Sequence, residues 1–93
     1  MTLNIVLSNQ FKKDLKTAAK RGYDIGLLET VVNTLAAQKP LSEKHRDHAL
    51  TGDYIGFREC HILPDWLLIY RIDGDDLILF LSRTGTHSDL FKK

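Results

Sequence analysis

The chain has 93 residues, 43% of them hydrophobic, and a formal net charge of +1. Such a length fits one compact domain with one modest core, spanning residues 1–93, and a second domain is not expected. Cys60 is the only cysteine, which excludes an intramolecular disulfide, and no apolar run approaches the roughly 20 residues of a membrane helix.

Residues 1–8 are too short and too lightly charged for a signal peptide, so a soluble, cytoplasmic protein without membrane contact is expected. Cys60 sits in an apolar strand pattern and reads as a small buried hydrophobe. The near-neutral total hides an asymmetry. Residues 1–46 carry eight Lys or Arg against four acids, and residues 47–93 carry five against eight. A basic first half can track phosphates, or it can simply be a solvated helix face.

Residues 3–7 form an apolar run of strand length, closed by Ser8, a good helix N-cap. Phe11, Leu15, Ala18 and Ala19 then recur at helical spacing, with Lys12, Lys13, Lys16 and Lys20 on the remaining surface. Arg21-Gly22 ends this helix. Asp24 caps a second one, in which Leu27, Leu28, Val31, Val32, Leu35 and Ala36 repeat the pattern until Lys39-Pro40. Helices joined so briefly pack as an antiparallel hairpin.

Residues 41–53 are polar and weakly periodic, a loop in which His45 is expected to be exposed. Residues 54–62, 66–72 and 77–82 are rich in aromatic and branched side chains, separated by the turn sequences Leu63-Pro64-Asp65 and Asp73-Gly74-Asp75-Asp76. They predict an antiparallel meander. Thr86 can cap a short helical turn that ends near Phe91. The expected architecture is α+β, in the order β-α-α-β-β-β, with the helical hairpin on one face of an antiparallel sheet.

All four histidines, His45, His48, His61 and His87, follow residue 44. Imidazole is the side chain suited to proton transfer near neutrality. Because a meander reverses at each turn, His61, Asp65, Trp66 and Arg83 should converge at one edge of the sheet, with His87 returning there through Gly85. Simple geometry places His48 nearer the opposite end, unless the long loop folds back. Imidazoles, a carboxylate, a guanidinium and aromatic rings together suit RNA cleavage by the adjacent 2′-hydroxyl. That reaction needs a base, an acid, a cation for the phosphorane and stacking surfaces for the bases.

The stretches Asp47-His48-Ala49-Leu50, residues 61–70 beginning His61-Ile62-Leu63-Pro64-Asp65-Trp66, and residues 83–91 beginning Arg83-Thr84-Gly85-Thr86-His87 resemble the YafQ-type toxins of the RelE superfamily. The resemblance covers nearly the whole chain. It implies a RelE-like fold and a metal-independent endoribonuclease, an mRNA interferase, that acts in the ribosomal decoding site without a cofactor. It also implies an active site of His48, His61, Asp65, Arg83, His87 and Phe91. In that reading His87 is the general acid, and His48, His61 and Asp65 supply the general base and its orienting partner, with the assignment among the three left open. Arg83 stabilises the phosphorane, Phe91 holds the nucleotide and Trp66 lines the site.

Implied partners are a cognate antitoxin, whose complex binds operator DNA, and the ribosome with its mRNA. Lys12, Lys13, Lys16, Lys20 and Arg21 are the candidate contacts to ribosomal RNA. Two rival readings stand beside this one. A metal site of His61, Asp65 and His87 lacks the clustered spacing of known zinc motifs. A non-catalytic binding module of the same fold would not require the His, Asp and Arg set.

Overall fold

A computed structural model describes residues 2–91. Strand β1 (Asn4–Leu7) is followed by helices α1 (Asn9–Lys20) and α2 (Ile25–Ala36), then by a two-residue strand β2 (His48–Ala49). Strands β3 (Arg58–Leu63), β4 (Trp66–Asp73) and β5 (Ile78–Gly85) make the meander, and helix α3 (His87–Phe91) closes the described chain. Short 3-10 turns occupy Glu43–His45 and Gly52–Tyr54.

Both hairpin helices start where the sequence predicts. Ser8 Oγ accepts the Phe11 N–H at 2.8 Å and donates to the Ser82 carbonyl at 2.7 Å, capping α1 while fastening it to β5. Asp24 caps α2 by accepting the Gly26 N–H at 3.0 Å. Each cap satisfies an amide that the first helical turn leaves without a partner.

The sheet has five strands in the order β1-β5-β4-β3-β2. It is mixed rather than antiparallel, because β1 lies parallel to β5, with Leu7 opposite Leu81, on the edge that the meander leaves open. Two strand boundaries move furthest. The strand expected from residue 54 begins at Arg58, since Tyr54 belongs to a 3-10 turn and Gly56 adopts a φ of +91°, a conformation that favours glycine and interrupts a strand. At the other end, β5 runs on to Gly85.

Alternation along the strands divides the sheet into two faces. Cys60, Trp66, Leu68, Tyr70, Leu79 and Leu81 pack against Phe11, Ala18, Leu28, Val31 and Leu35 of the helical hairpin. Burial of large apolar side chains like these stabilises the fold by about 1.5–3 kcal/mol each. Cys60 is fully buried, as expected, and burial pushes its thiol up to about 12. The opposite face carries a smaller cluster in which Leu67, Ile69 and Leu90 meet Leu50, Tyr54, Phe57 and Phe91. Helix α3 therefore lies across the sheet from the hairpin. No helix among the described residues is long and apolar enough to cross a membrane.

Candidate active site

Glu59 and His61 stand two residues apart on β3, so both project from the face that α3 shares. Across the sheet Glu59 is level with His48 of β2 and Ile69 of β4, while His61 is level with Leu67, which in turn faces Gly85. The loop before β3 folds back as β2. His48 consequently reaches the site, although simple meander geometry had sent it to the other end.

Glu59 is 5% exposed, and its carboxylate lies between two imidazoles, 3.6 Å from His48 Nε2 and 3.5 Å from His61 Nε2. In each ring the other nitrogen is committed. His48 Nδ1 meets the Arg46 carbonyl at 2.7 Å, and His61 Nδ1 meets the Pro64 carbonyl at 3.2 Å. A carbonyl only accepts, so both Nδ1 atoms carry the hydrogen and both Nε2 atoms face the carboxylate.

His87 opens α3, where Thr86 and Asp89 cap one another. The Thr86 N–H donates to Asp89 Oδ2 at 3.0 Å and the Asp89 N–H to Thr86 Oγ1 at 3.1 Å, the reciprocal arrangement that fixes a helix entry. Gly85 lets this cap close, since a β-carbon there would stand 2.9 Å from Asp89 Oδ2. Arg21 at the end of α1 then grips Asp89 at 2.6 and 3.2 Å, which draws the Asp89 carboxyl far below the usual carboxylate range.

Asp65, in the β3–β4 turn, accepts from His87 Nδ1 at 2.9 Å and from the His87 backbone N–H at 3.2 Å. The His87 contacts lower the Asp65 carboxyl from its ordinary value. Among the described residues His87 Nε2 has no hydrogen-bond partner. The His61 and His87 rings stand 5.8 Å apart, edge to face, and Phe91 lies 6.4 Å beyond His87.

Arg83 approaches the same face from β5 but turns toward the helical hairpin. Its Nε and Nη2 donate to Asp14 of α1 at 2.8 and 3.3 Å, and Asp14 also accepts the Thr84 N–H at 3.2 Å. This pairing raises the guanidinium above its ordinary value. Nη1 is the part of the fork that Asp14 does not engage, and the Tyr54 side chain lies close enough to raise the guanidinium further.

Two expected placements are corrected. Trp66 does not line the site: it is 1% exposed in the core under the hairpin, its Nε1 donates to Thr84 Oγ1 at 2.9 Å, and its ring lies 4.8 Å from that of Tyr23. The first residue of β4 points away from the site because Leu67, its neighbour, points toward it. His45 is not an exposed loop residue but half-buried, its Nδ1 donating to the His61 carbonyl at 2.6 Å, so it braces the strand that carries His61. Lys12, Lys13, Lys16 and Lys20 are exposed on α1, whereas Arg21 is tied to Asp89.

The sequence reading missed Glu59, Tyr54 and Asp14. Glu59 had a usable signal, an acid in an apolar strand at the same-face position before His61. Asp14 is the one acid among the α1 lysines. For metal binding the carboxylate differs from the one expected: Glu59, His61 and His87 bring ligand atoms within 4.8 Å of one another and could hold a divalent ion. Asp65 instead occupies the far side of His87.

Residues 3–92 match the family model described as the bacterial toxin of type II toxin-antitoxin system, YafQ. The chain belongs to the YafQ toxin family. It is 40% identical over 89 residues to the mRNA interferase toxin YafQ of Escherichia coli K12, with 95% of each chain covered. A metal-bound toxin from Helicobacter pylori superposes with a TM-score of 0.91 at 49% identity, covering 96% of this chain and 99% of that one. The E. coli DinJ-YafQ toxin-antitoxin complex aligns with a TM-score of 0.87 at 39% identity, over 98% of this chain and 99% of the matched one. The α+β fold expected from the YafQ resemblance is thus established, with a mixed sheet in place of the expected antiparallel one.

Proposed function

We propose that this YafQ-family toxin is an endoribonuclease that cleaves mRNA on the ribosome by attack of the 2′-hydroxyl, without a metal. The observation that carries the reading is the facing pair of His61 and His87, each beside a carboxylate: Glu59, which His61 shares with His48, and Asp65, which holds His87. One imidazole takes the proton of the attacking 2′-hydroxyl while the other protonates the leaving 5′-oxygen.

In the cleavage step the 2′-oxygen forms a bond to phosphorus as the bond to the 5′-oxygen breaks, leaving a 2′,3′-cyclic phosphate and a free 5′-hydroxyl. His87 is the acid, since Asp65 holds its Nδ1 and presents Nε2. His61 and His48, with Glu59 between them, form the base unit. Arg83 neutralises the phosphorane through Nη1, and Phe91 holds the nucleotide beside His87. The alternative, a toxin that only binds its target, has no use for two carboxylate-oriented imidazoles.

The E. coli relative's complex with DinJ supports a cognate antitoxin for this chain, and we extend the reading to operator DNA as a target of that complex. Lys12, Lys13, Lys16 and Lys20 serve as contacts to ribosomal RNA. A second reading concerns inhibition. Because the H. pylori relative is metal-bound, an ion on Glu59, His61 and His87 would occupy both catalytic imidazoles and block cleavage.

The test is to incubate translating ribosomes and a defined mRNA with the protein in EDTA, and to map the cut ends. Cuts in the decoding position ending in 2′,3′-cyclic phosphate, lost in His87→Gln, are expected. Undiminished cutting by His87→Gln would remove the acid assignment, and cutting that requires added zinc would remove the metal-free mechanism.

A further inference from the structure

The site does not end at Phe91. Tyr54 stands edge-on to Phe91, with centroids 5.9 Å apart at 81°, and edge-on to Phe57 at 6.2 Å and 87°. The Arg71 guanidinium lies over the Phe57 ring at 5.5 Å and over the Phe80 ring at 5.7 Å, Arg71 and Phe80 being directly opposite on β4 and β5. Phe91, Tyr54, Phe57, Arg71 and Phe80 form one continuous strip on the face opposite the helical hairpin.

The rings are half-buried and Arg71, whose guanidinium covers part of the Phe57 and Phe80 rings, is exposed, so apolar ring surface and charge both reach solvent. Arg21, Arg58 and Arg83 are each held by an aspartate, but among the described residues no carboxylate lies within ion-pair distance of Arg71. The strip has a definite end. Beyond the Arg71–Phe80 pair come Asp73, Asp75 and Asp76, with Asp73 accepting the backbone N–H groups of the other two, a negative turn that would repel a phosphate chain.

We infer that this aromatic and guanidinium strip is a binding track for single-stranded RNA that runs on from the scissile nucleotide at Phe91. The inference rests on the cleavage reading above for its orientation, and on chemistry for its ligand. Every base has a stacking face whatever its sequence, and an uncompensated arginine supplies the phosphate contact. Continuity with Phe91 favours the substrate strand over an unrelated ligand. The basic face of α1 is then left for ribosomal RNA.

The test uses full-length wild type, Arg71→Gln and Phe80→Leu. The second variant keeps apolar volume and loses the π-face. Binding of a fluorescein-labelled, 2′-O-methylated single-stranded RNA hexamer is measured by anisotropy across a salt series, beside cleavage of ribosome-bound mRNA. Each variant should bind about tenfold more weakly, and Arg71→Gln should reduce the salt slope by about one. Far-ultraviolet circular dichroism should be unchanged.

Wild-type binding by both folded variants would overturn the track. So would weaker binding of a cognate antitoxin with RNA binding intact, which would mark the strip as a protein interface. Because the hexamer cannot be cleaved, failure of wild type to cut mRNA would count against the catalytic reading, whereas a failed binding comparison would count against the track.

Discussion

Asp65 accepts a hydrogen bond from His87 Nδ1 at 2.9 Å, and the backbone N–H of the same residue holds the carboxylate at 3.2 Å. The ring is fixed in the tautomer that leaves Nε2 for the substrate. Asp65→Asn keeps an acceptor but loses the charge that stabilises the imidazolium, so kcat should fall about tenfold to a hundredfold with KM little changed. The Asp65 carboxyl is held below its ordinary value, so the ionised contact exists above that range and is lost only as pH falls through the lowered one. A kcat/KM profile for the variant that matched wild type across neutral pH would refute the orienting role.

Glu59 should be as necessary as any histidine. It is buried against His48 and His61, and a proton arriving at either Nε2 needs that negative charge nearby. Glu59→Gln preserves shape and burial, so single-turnover cleavage should drop by about a hundredfold or more while the thermal midpoint stays near that of wild type. A variant that melts normally and cleaves normally would place the base elsewhere.

The sequence anticipated more of the fold than of the site. Helix starts at Ser8 and Asp24, the meander and its two turns follow from capping, periodicity and turn chemistry, all of them local. Parallel pairing of β1 with β5 is not local: it depends on where the hairpin returns the chain. The same distinction governs the site. His61, Asp65 and His87 were legible because a meander brings strand ends together, whereas His48 depended on a two-residue strand too short to leave a pattern. Trp66 was misplaced because an aromatic residue beside a site motif reads alike on either face of a strand, and only the register decides which.

Trp66 should accordingly behave as a core residue. Trp66→Phe removes the indole N–H bonded to Thr84 and opens space beside Tyr23, which should cost about 1–3 kcal/mol in urea unfolding. Cleavage per folded molecule should remain within a factor of about two of wild type. A large loss of kcat without loss of stability would return Trp66 to the substrate.

The Glu59, His61 and His87 cluster makes zinc or copper an inhibitor of the proposed reaction. Micromolar zinc should suppress cleavage by wild type, EDTA should restore it, and Glu59→Gln should bind zinc more weakly in calorimetry. Zinc binding undiminished in that variant would remove Glu59 from the cluster.

Asp89 joins the acid end of the pH scale to the placement of His87. Its carboxyl is strongly lowered, chiefly by the Arg21 guanidinium and then by the Thr86 N–H. A lowered carboxyl contributes stability that is present above the unfolded-state value, near pH 4, and that fades as pH falls through the folded one. Asp89→Asn should therefore melt a few degrees below wild type at neutral pH, with the gap narrowing as both proteins are taken below pH 4. Since the same carboxylate caps the helix that begins with His87, the variant should also lose activity at neutral pH, through lower kcat rather than higher KM. Equal melting temperatures at neutral pH, or a gap that widens in acid, would break the link between the Arg21 clamp and the geometry of the acid.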